Sequence, residues 1–222
     1  MFVACWSAKG GVGTTVVATA LALVLSRSSP SGSLLADLSG DAPAVLGVDE
    51  PADRGLVDWL CAGPSVPADA LPRLELEVGP GLGLLPRGRG PLTCAVDRGQ
   101  VLAAMLAADP RPVVADCGRL DGHTAGREVV LALAAGATHS LLITRACYLG
   151  LRRAAAAPLR PSGVVLLTEP GRSLGRADVE QVVGAPVRAE IAIDPAVARA
   201  VDAGVFSTRL PRGLERALRY AA

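Results

Sequence analysis

The only lysine of this 222-residue chain, Lys9, lies in a glycine-rich run near the N-terminus. The run reads Ser-Ala-Lys-Gly-Gly-Val-Gly-Thr-Thr over residues 7–15 and directly follows an apolar segment, residues 2–6. Of the 22 basic residues, the other 21 are arginine. An ammonium is a compact, flexible point charge, whereas a guanidinium is a planar fork. Keeping lysine at this one position therefore indicates a site that binds phosphate.

An apolar segment, a glycine-rich turn and an apolar helix over residues 15–25 together predict a phosphate-binding loop. Glycines lack Cβ atoms, so successive backbone N–H groups can converge on phosphate oxygens at the positive end of the helix. Thr15 stands where such loops place a hydroxyl ligand of Mg²⁺. A glycine-rich turn without a ligand is the alternative. The expected phosphate-binding residues are Lys9, Gly10, Gly11, Val12, Gly13, Thr14 and Thr15.

Two aspartates end apolar segments that read as buried strands. Asp37 ends residues 33–37, and Asp116 ends residues 112–116. Taken singly, each aspartate is explained as a cap of its strand end. A loop that binds Mg²⁺ needs carboxylates nearby, and the ends of neighbouring strands supply them. We therefore expect a magnesium site made of Thr15, Asp37 and Asp116.

These residues require a particular arrangement of strands and helices. Apolar segments predict strands that alternate with helical segments. This β-α order predicts a mostly parallel twisted sheet covered by helices on both faces, an α/β fold. The predicted strands cover residues 2–6, 33–37, 74–78, 82–85, 112–116, 140–144 and 164–167; the predicted helices cover 15–25, 56–60, 100–108, 126–135 and 147–157. The length and the 50% apolar content suit one domain spanning residues 1–222.

Composition excludes several classes of protein. The formal net charge is +1, so no global field favours nucleic acid or an anionic membrane. The five cysteines are far apart and form no Cys-x-x-Cys pair, which is typical of a reduced, cytoplasmic protein. The N-terminus lacks a charged signal-peptide region, and no apolar stretch reaches the ~20 residues that span a bilayer.

The run from Lys9 to Thr15 resembles the deviant Walker A loop of the MinD/ParA family of P-loop ATPases. The resemblance implies ATP or ADP with Mg²⁺ as ligands. It also implies a homodimer across the nucleotide, in which Lys9 reaches the phosphates of the partner subunit. Thr14 stands where the family has a second lysine, as in the CpaE/TadZ branch, which positions pilus machinery at bacterial cell poles. The similarity extends from residue 2 to about residue 205.

The resemblance also assigns roles at the strand ends. Asp37 matches the family's A′ aspartate, and Asp116 matches its Walker B aspartate. Ser39 stands where the family carries an aspartate that orients the attacking water, and a serine cannot supply that negative charge. Asp41 is then the candidate to replace it, together with Lys9, in a catalytic role. Because Thr14 and Ser39 weaken the same chemistry, the resemblance implies a weak ATPase.

A second segment resembles the family's late strand, loop and helix beside the adenine. It runs from Glu190 to Ala200 and is followed by Gly204. The adenine-binding residues that this implies are Thr168, Glu169, Ile193 and Asp194.

Arginines at 152, 153, 209, 212, 216 and 219 raise the question of a surface for DNA or acidic lipid. The tail has few apolar residues for a membrane-binding face, so a packed terminal helix is the favoured interpretation. The main hypothesis is an ATP-dependent, dimerising spatial organiser with an unidentified partner or cargo. For such an organiser we expect a cytoplasmic location, with a cell pole, the nucleoid or the inner membrane face as candidate sites of recruitment. The alternatives are a nucleotide-independent scaffold of the same fold and a metabolic P-loop enzyme.

Overall fold

The computed structural model of the chain describes residues 1–49, 54–63, 66–92, 96–121 and 126–221. Its strands form one eight-stranded sheet. They are β1 (Phe2–Ser7), β2 (Ser33–Asp37), β3 (Leu76–Gly79), β4 (Leu82–Leu85), β5 (Val113–Arg119), β6 (His139–Arg145), β7 (Gly163–Thr168) and β8 (Val187–Ala192).

Helices follow most of the strands, as the alternating pattern predicts. They are α1 (Thr14–Ser28), α2 (Ala42–Leu46), α3 (Leu56–Cys61), α4 (Val96–Ala108), α5 (Arg127–Gly136), α6 (Tyr148–Ala155), α7 (Arg176–Val183), α8 (Pro195–Asp202) and α9 (Arg212–Leu218). Two short 3₁₀ turns, Ala68–Ala70 and Pro72–Leu74, precede β3. Within the described ranges, no helix combines the length and apolarity needed to cross a membrane.

The strand order is β3-β4-β2-β5-β1-β6-β7-β8. All neighbouring pairs are parallel except β3 with β4, which form an antiparallel pair at one edge. Central β1 therefore lies between β5 and β6, and β5 lies between β1 and β2. This order brings the C-terminal ends of β1, β2 and β5 to one edge of the sheet, where parallel α/β folds bind ligands.

Each face of the sheet carries its own apolar core. Alternate residues of β1 divide between them: Trp6 packs in the core under α3 to α7, and Cys5 packs in the core under α1, α2 and α9. All six residues of β1 are buried, because a central parallel strand has helices on both sides. The predicted α/β architecture, a mostly parallel sheet with helices on both faces, is confirmed.

The structure differs from the predicted elements in a few places. Leu74 ends a 3₁₀ turn instead of opening a strand, and α4 begins four residues before the predicted Gln100. Helices α2 and α7 were not predicted, since they are short and lack a long apolar period. Strand β5 does not end at Asp116 but runs to Arg119, because it continues to pair with β1.

Candidate nucleotide-binding site

The glycine-rich loop joins the buried end of β1 to the first turn of α1. Gly11 and Gly13 have φ angles of 73° and 93°, in the left-handed region that favours glycine. Gly13 is the N-cap of α1, and its carbonyl accepts a hydrogen bond from the Val17 N–H at 3.0 Å. Among the described residues outside its chain neighbours, no heavy atom lies within 4 Å of the place where a Cβ on Gly11 would stand. Backbone conformation, and not lack of space, therefore requires glycine at position 11.

The loop combines buried residues that pack against the protein with exposed glycines that face solvent. Val12 and Thr14 are buried, and Val12 belongs to the core beneath α1. Gly10 and Gly11 are exposed, and Lys9 is half-buried. An exposed glycine backbone at the N-terminal end of a 15-residue helix is suited to bind an anion. The Thr14 side chain is buried and carries no charge, so it does not replace a phosphate-binding lysine.

The two predicted strand-end aspartates are neighbours in the sheet. Asp37 on β2 and Asp116 on β5 pair directly in the parallel register, and both are fully buried. The Asp37 carboxylate accepts backbone N–H groups from Ser39, Gly40 and Ala42 at 2.9, 2.8 and 3.1 Å. The loop after β2 therefore wraps around this carboxylate.

Ser39 lies between the two carboxylates. Its hydroxyl is 2.5 Å from Oδ2 of Asp116 and 3.0 Å from Oδ1 of Asp37. The Thr15 hydroxyl lies 3.2 Å from the same Ser39 oxygen, so the magnesium ligand expected on α1 joins the cluster. A serine hydroxyl has one proton and can donate to only one carboxylate at a time. One of the two buried acids therefore lacks the Ser39 proton.

Burial raises the pKa of both carboxyls. Burial, reinforced by the facing charge of Asp37, raises the pKa of Asp116 from 3.8 to about 6, although hydrogen bonds from Ser39, Thr15 and the Gly118 N–H oppose the rise. Burial also raises the pKa of Asp37 against the backbone donors of its loop. Two buried acids that resist ionisation together form a site that a cation would stabilise.

The donor set fits Mg²⁺. The four side chains supply only oxygen atoms, which are the ligands that this hard cation prefers. Among the described residues, no group of three or more histidine, cysteine or acidic side chains could form a closed metal cage. Magnesium is commonly held by one or two carboxylates together with substrate phosphates and water. Thr15, Asp37 and Asp116 therefore suit an ion shared with a phosphate on the adjacent loop.

The four residues predicted to contact adenine lie at the adjacent ends of β7 and β8. The Ile193 N–H donates to the Thr168 carbonyl at 3.0 Å, which holds the two segments together. Three of the four side chains already have partners. The Thr168 hydroxyl donates to the Ile191 carbonyl at 3.4 Å. The Asp194 carboxylate caps α8 by accepting the Ala196 N–H at 2.8 Å, and Glu169 binds Arg145 at 2.9 Å.

Asp41, the predicted substitute for the missing acid, is exposed and precedes α2 without capping it through its side chain. Its carboxylate makes no hydrogen bond to the part of the chain that the structure describes. Sequence reasoning missed the bridging position of Ser39 and two arginines beside the loop. Arg145 donates from Nη2 to the Gly11 carbonyl at 3.4 Å, and Arg119 lies against Gly10. Their positions at the C-terminal ends of strands flanking β1 were the available signal.

Solved structures of similar architecture are MinD and ParA proteins. A ParA family ATPase from Chlorobium tepidum has a TM-score of 0.78 at 19% identity, covering 98% of this chain and 95% of that one. MinD of Aquifex aeolicus in a MinC:MinD complex gives 0.79 at 17% identity, with 99% and 93% covered. MinD of Pyrococcus horikoshii complexed with Mg-ADP gives 0.74 at 19% identity, also with 99% and 93% covered.

No protein-family model matches the sequence, and no curated protein is significantly similar to it. At identities of this size, the structural likeness establishes the architecture alone. The chain has the fold of the MinD and ParA ATPases.

Proposed function

We propose that this protein binds ATP with Mg²⁺ and forms an ATP-dependent homodimer that acts as a spatial organiser, with slow ATP hydrolysis. One observation carries the proposal: the exposed glycine loop lies beside two buried, directly paired carboxylates joined to it through Ser39 and Thr15. A glycine turn without a ligand does not need this costly pair of buried acids. The nucleotide-binding domain is proposed to span residues 1–222.

The chain's own residues have distinct roles in this proposal. The backbone N–H groups of the loop bind phosphate oxygens at the N-terminus of α1. Thr15, Asp37 and Asp116 hold Mg²⁺, which when bound neutralises charge between the acids and the phosphates. Thr168, Glu169, Ile193 and Asp194 form the adenine side at the ends of β7 and β8.

Slow hydrolysis follows from the state of Ser39 and Asp41. An efficient ATPase needs a group that orients or deprotonates the attacking water. The Ser39 hydroxyl is occupied by Asp116 and Asp37, and the Asp41 carboxylate is exposed. Nucleotide binding is therefore better supported than rapid turnover.

The dimer is proposed to depend on Lys9. Its side chain is half-buried at the open part of the loop, and it is the one lysine in the sequence. In the proposed dimer it reaches the phosphates bound by the partner subunit, as in the deviant Walker A loops that residues 9–15 resemble. Thr14 in place of a second lysine supports a CpaE/TadZ-like type within this proposal.

The proposed cycle is reset by nucleotide hydrolysis or exchange, and a protein partner or cargo recognises the dimer. One structural relative is solved as a MinC:MinD complex, which is a precedent for a protein partner on this fold. The proposed setting is the cytoplasm, with recruitment to a cell pole, the nucleoid or the inner membrane face. Arginine-mediated contact with DNA or membrane is a secondary part of the proposal.

Light scattering coupled to size-exclusion chromatography tests the switch. We expect a monomer with Mg-ADP and a dimer with Mg²⁺ and a non-hydrolysable ATP analogue. Lys9→Ala should remain monomeric with the analogue while still binding it. Arg73→Ala is the matched control, since Arg73 is a well-exposed cation outside the site.

Three outcomes would contradict the proposal. A protein with the same mass under all nucleotide conditions does not switch. If calorimetry with Mg-ATP also gives no heat of binding, and Lys9→Ala behaves as the wild type, the protein is a nucleotide-independent scaffold. A phosphorylated small-molecule product would instead indicate a metabolic enzyme.

A further inference from the structure

The phosphate loop has only one lysine, since the position of a second is taken by the buried, uncharged Thr14. Two or three phosphate groups carry more negative charge than one lysine neutralises, so a further cation is expected near the loop. Such a cation should lie beside the loop without being bound to the loop's own backbone.

Arg145 and Arg119 are the arginines found against the loop. Arg145 is held on both sides: Nη1 binds Glu169 at 2.9 Å, and Nη2 binds the Gly11 carbonyl at 3.4 Å. It therefore supports the loop's own backbone. Arg119 contacts the loop differently, because Cδ and Nη1 lie 3.7 and 3.8 Å from the place of a Cβ on Gly10. These are van der Waals distances, so the Arg119 side chain lies beside the exposed Gly10 of the loop.

A local irregularity of β5 places Arg119 there. In the pairing of β1 with β5, Cys5 opposes Asp116, but Ser7 opposes Arg119. One strand advances two residues while the other advances three, which is the extra residue of a β-bulge. Gly118 has a φ of 62° at this bulge, and the Leu120 N–H then binds the Ser7 carbonyl at 2.8 Å. The bulge turns the chain after the magnesium-site aspartate and aims the next long side chain at the loop.

Arg119 is also accessible to a ligand. Its side chain is 45% exposed, and its ion-pair partner Asp121 follows two residues later on the same segment. Because its own guanidinium is nearly half exposed, Arg119 gives up little stability when it exchanges the partly exposed carboxylate of Asp121 for a phosphate. Its planar donors match phosphate oxygens in a bidentate manner.

We propose that Arg119 is the second phosphate-binding cation of this site, supplied by the bulged end of β5 in place of the lysine absent at Thr14. This inference rests on the proposed nucleotide-binding function and adds a specific residue to it. The ligand class is a nucleoside di- or triphosphate, contacted at its phosphates.

Isothermal titration calorimetry with Mg-ADP and a non-hydrolysable ATP analogue tests the role of Arg119. We expect Arg119→Gln to weaken binding by about 10- to 100-fold, the range for losing a charge-assisted hydrogen bond. Arg27→Gln is the matched control, because Arg27 is 41% exposed, pairs with Glu215 and lies at the far end of α1. It should bind nucleotide as the wild type does.

A rescue experiment separates phosphate binding from a structural role. Thr14→Lys in the Arg119→Gln background restores a cation at the loop from a different element, so affinity should recover by at least about tenfold. Arg119→Lys provides a second route, since it keeps the charge at the same place and should retain an intermediate affinity. Thermal unfolding without nucleotide should give closely similar midpoints for Arg119→Gln and Arg27→Gln.

The outcomes distinguish a failure of the proposed Arg119 role from a failure of the proposed nucleotide-binding function. If the wild-type protein binds nucleotide and Arg119→Gln binds it equally well, the proposed role of Arg119 is wrong and the proposed function is unaffected. Weakened binding that neither Thr14→Lys nor Arg119→Lys improves also overturns it. A wild-type protein that binds neither nucleotide removes the proposed function and this inference together.

Discussion

Asp116→Asn should stabilise the nucleotide-free protein, although most changes to fully buried residues destabilise. Burial and the facing charge of Asp37 raise the pKa of Asp116 from 3.8 to about 6. This difference corresponds to about 3 kcal/mol of unfolding free energy lost on ionising the buried carboxyl. Asparagine has the same shape, its oxygen can accept the Gly118 N–H, and its amide can donate to Ser39. We therefore expect the free energy of unfolding of Asp116→Asn to exceed that of the wild type by up to about 3 kcal/mol at pH 8.

The sign of the pH dependence follows from the raised pKa. The folded wild-type protein holds a proton on Asp116 up to about pH 6, whereas the unfolded chain releases it near 3.8. The Asp116 contribution to stability is therefore fully present below pH 3.8 and is lost as the pH rises through 6. The advantage of Asp116→Asn should accordingly be greatest above pH 7 and should narrow as the pH falls towards 4.

Urea denaturation in EDTA, followed by tryptophan fluorescence, measures this difference. Trp6 and Trp59 are both buried in the core under α3 to α7, so unfolding exposes both. Asp49→Asn is the control, because Asp49 is exposed and the change should leave stability within about 0.5 kcal/mol. Asp116→Asn should also lose the thermal stabilisation that Mg-ATP gives the wild type.

Two results would refute this reasoning. If Asp116→Asn is less stable than the wild type at pH 8 in EDTA, the buried carboxylate is not a source of instability. If its advantage is the same at pH 4.5 and pH 8, it does not arise from ionisation. Unchanged stabilisation by Mg-ATP in the variant would separately contradict the proposed metal role.

Ser39→Ala should destabilise the metal-free protein by about 1–3 kcal/mol at pH 8, since Asp37 and Asp116 lose their shared donor. Urea denaturation checks this, and an unchanged midpoint would show that the bridge contributes nothing. Gly11→Ala should lower the free energy of unfolding by about 1–2 kcal/mol, because the φ of Gly11 is 73°. Gly10→Ala should leave it nearly unchanged, since a Cβ on Gly10 would meet only ordinary van der Waals contacts. Equal effects of the two changes in thermal unfolding would exclude backbone conformation as the cause.

Much of the fold was predictable because its signals are local. Apolar runs such as residues 33–37 become strands at the predicted residues, since a central parallel strand must be apolar on both faces. The alternation of strands and helices then restricts the sheet to a mostly parallel arrangement. Short elements such as α2 and α7 escaped prediction, because tertiary packing and not periodicity stabilises them.

The candidate site also has parts that could be predicted from the sequence and parts that could not. The loop of residues 9–15 could be predicted from sequence, because its glycine spacing and φ requirements lie within a few residues. Asp37 could be predicted as a strand end, whereas β5 continues past Asp116 to Arg119, and the roles of both aspartates in metal binding remain a prediction. Asp41 is different, since only the path of the loop after β2 decides that its carboxylate faces solvent.

The sequence by itself determined a glycine loop between an apolar strand and a helix, and acids at or near the ends of two other strands. Only the tertiary structure decided that Asp37 and Asp116 pair in register, that Ser39 joins them, and that a bulge turns Arg119 onto the loop. The physical reason is one of range. Neighbouring residues fix turn geometry and capping, whereas strand register and side-chain direction depend on how distant segments pack into one sheet.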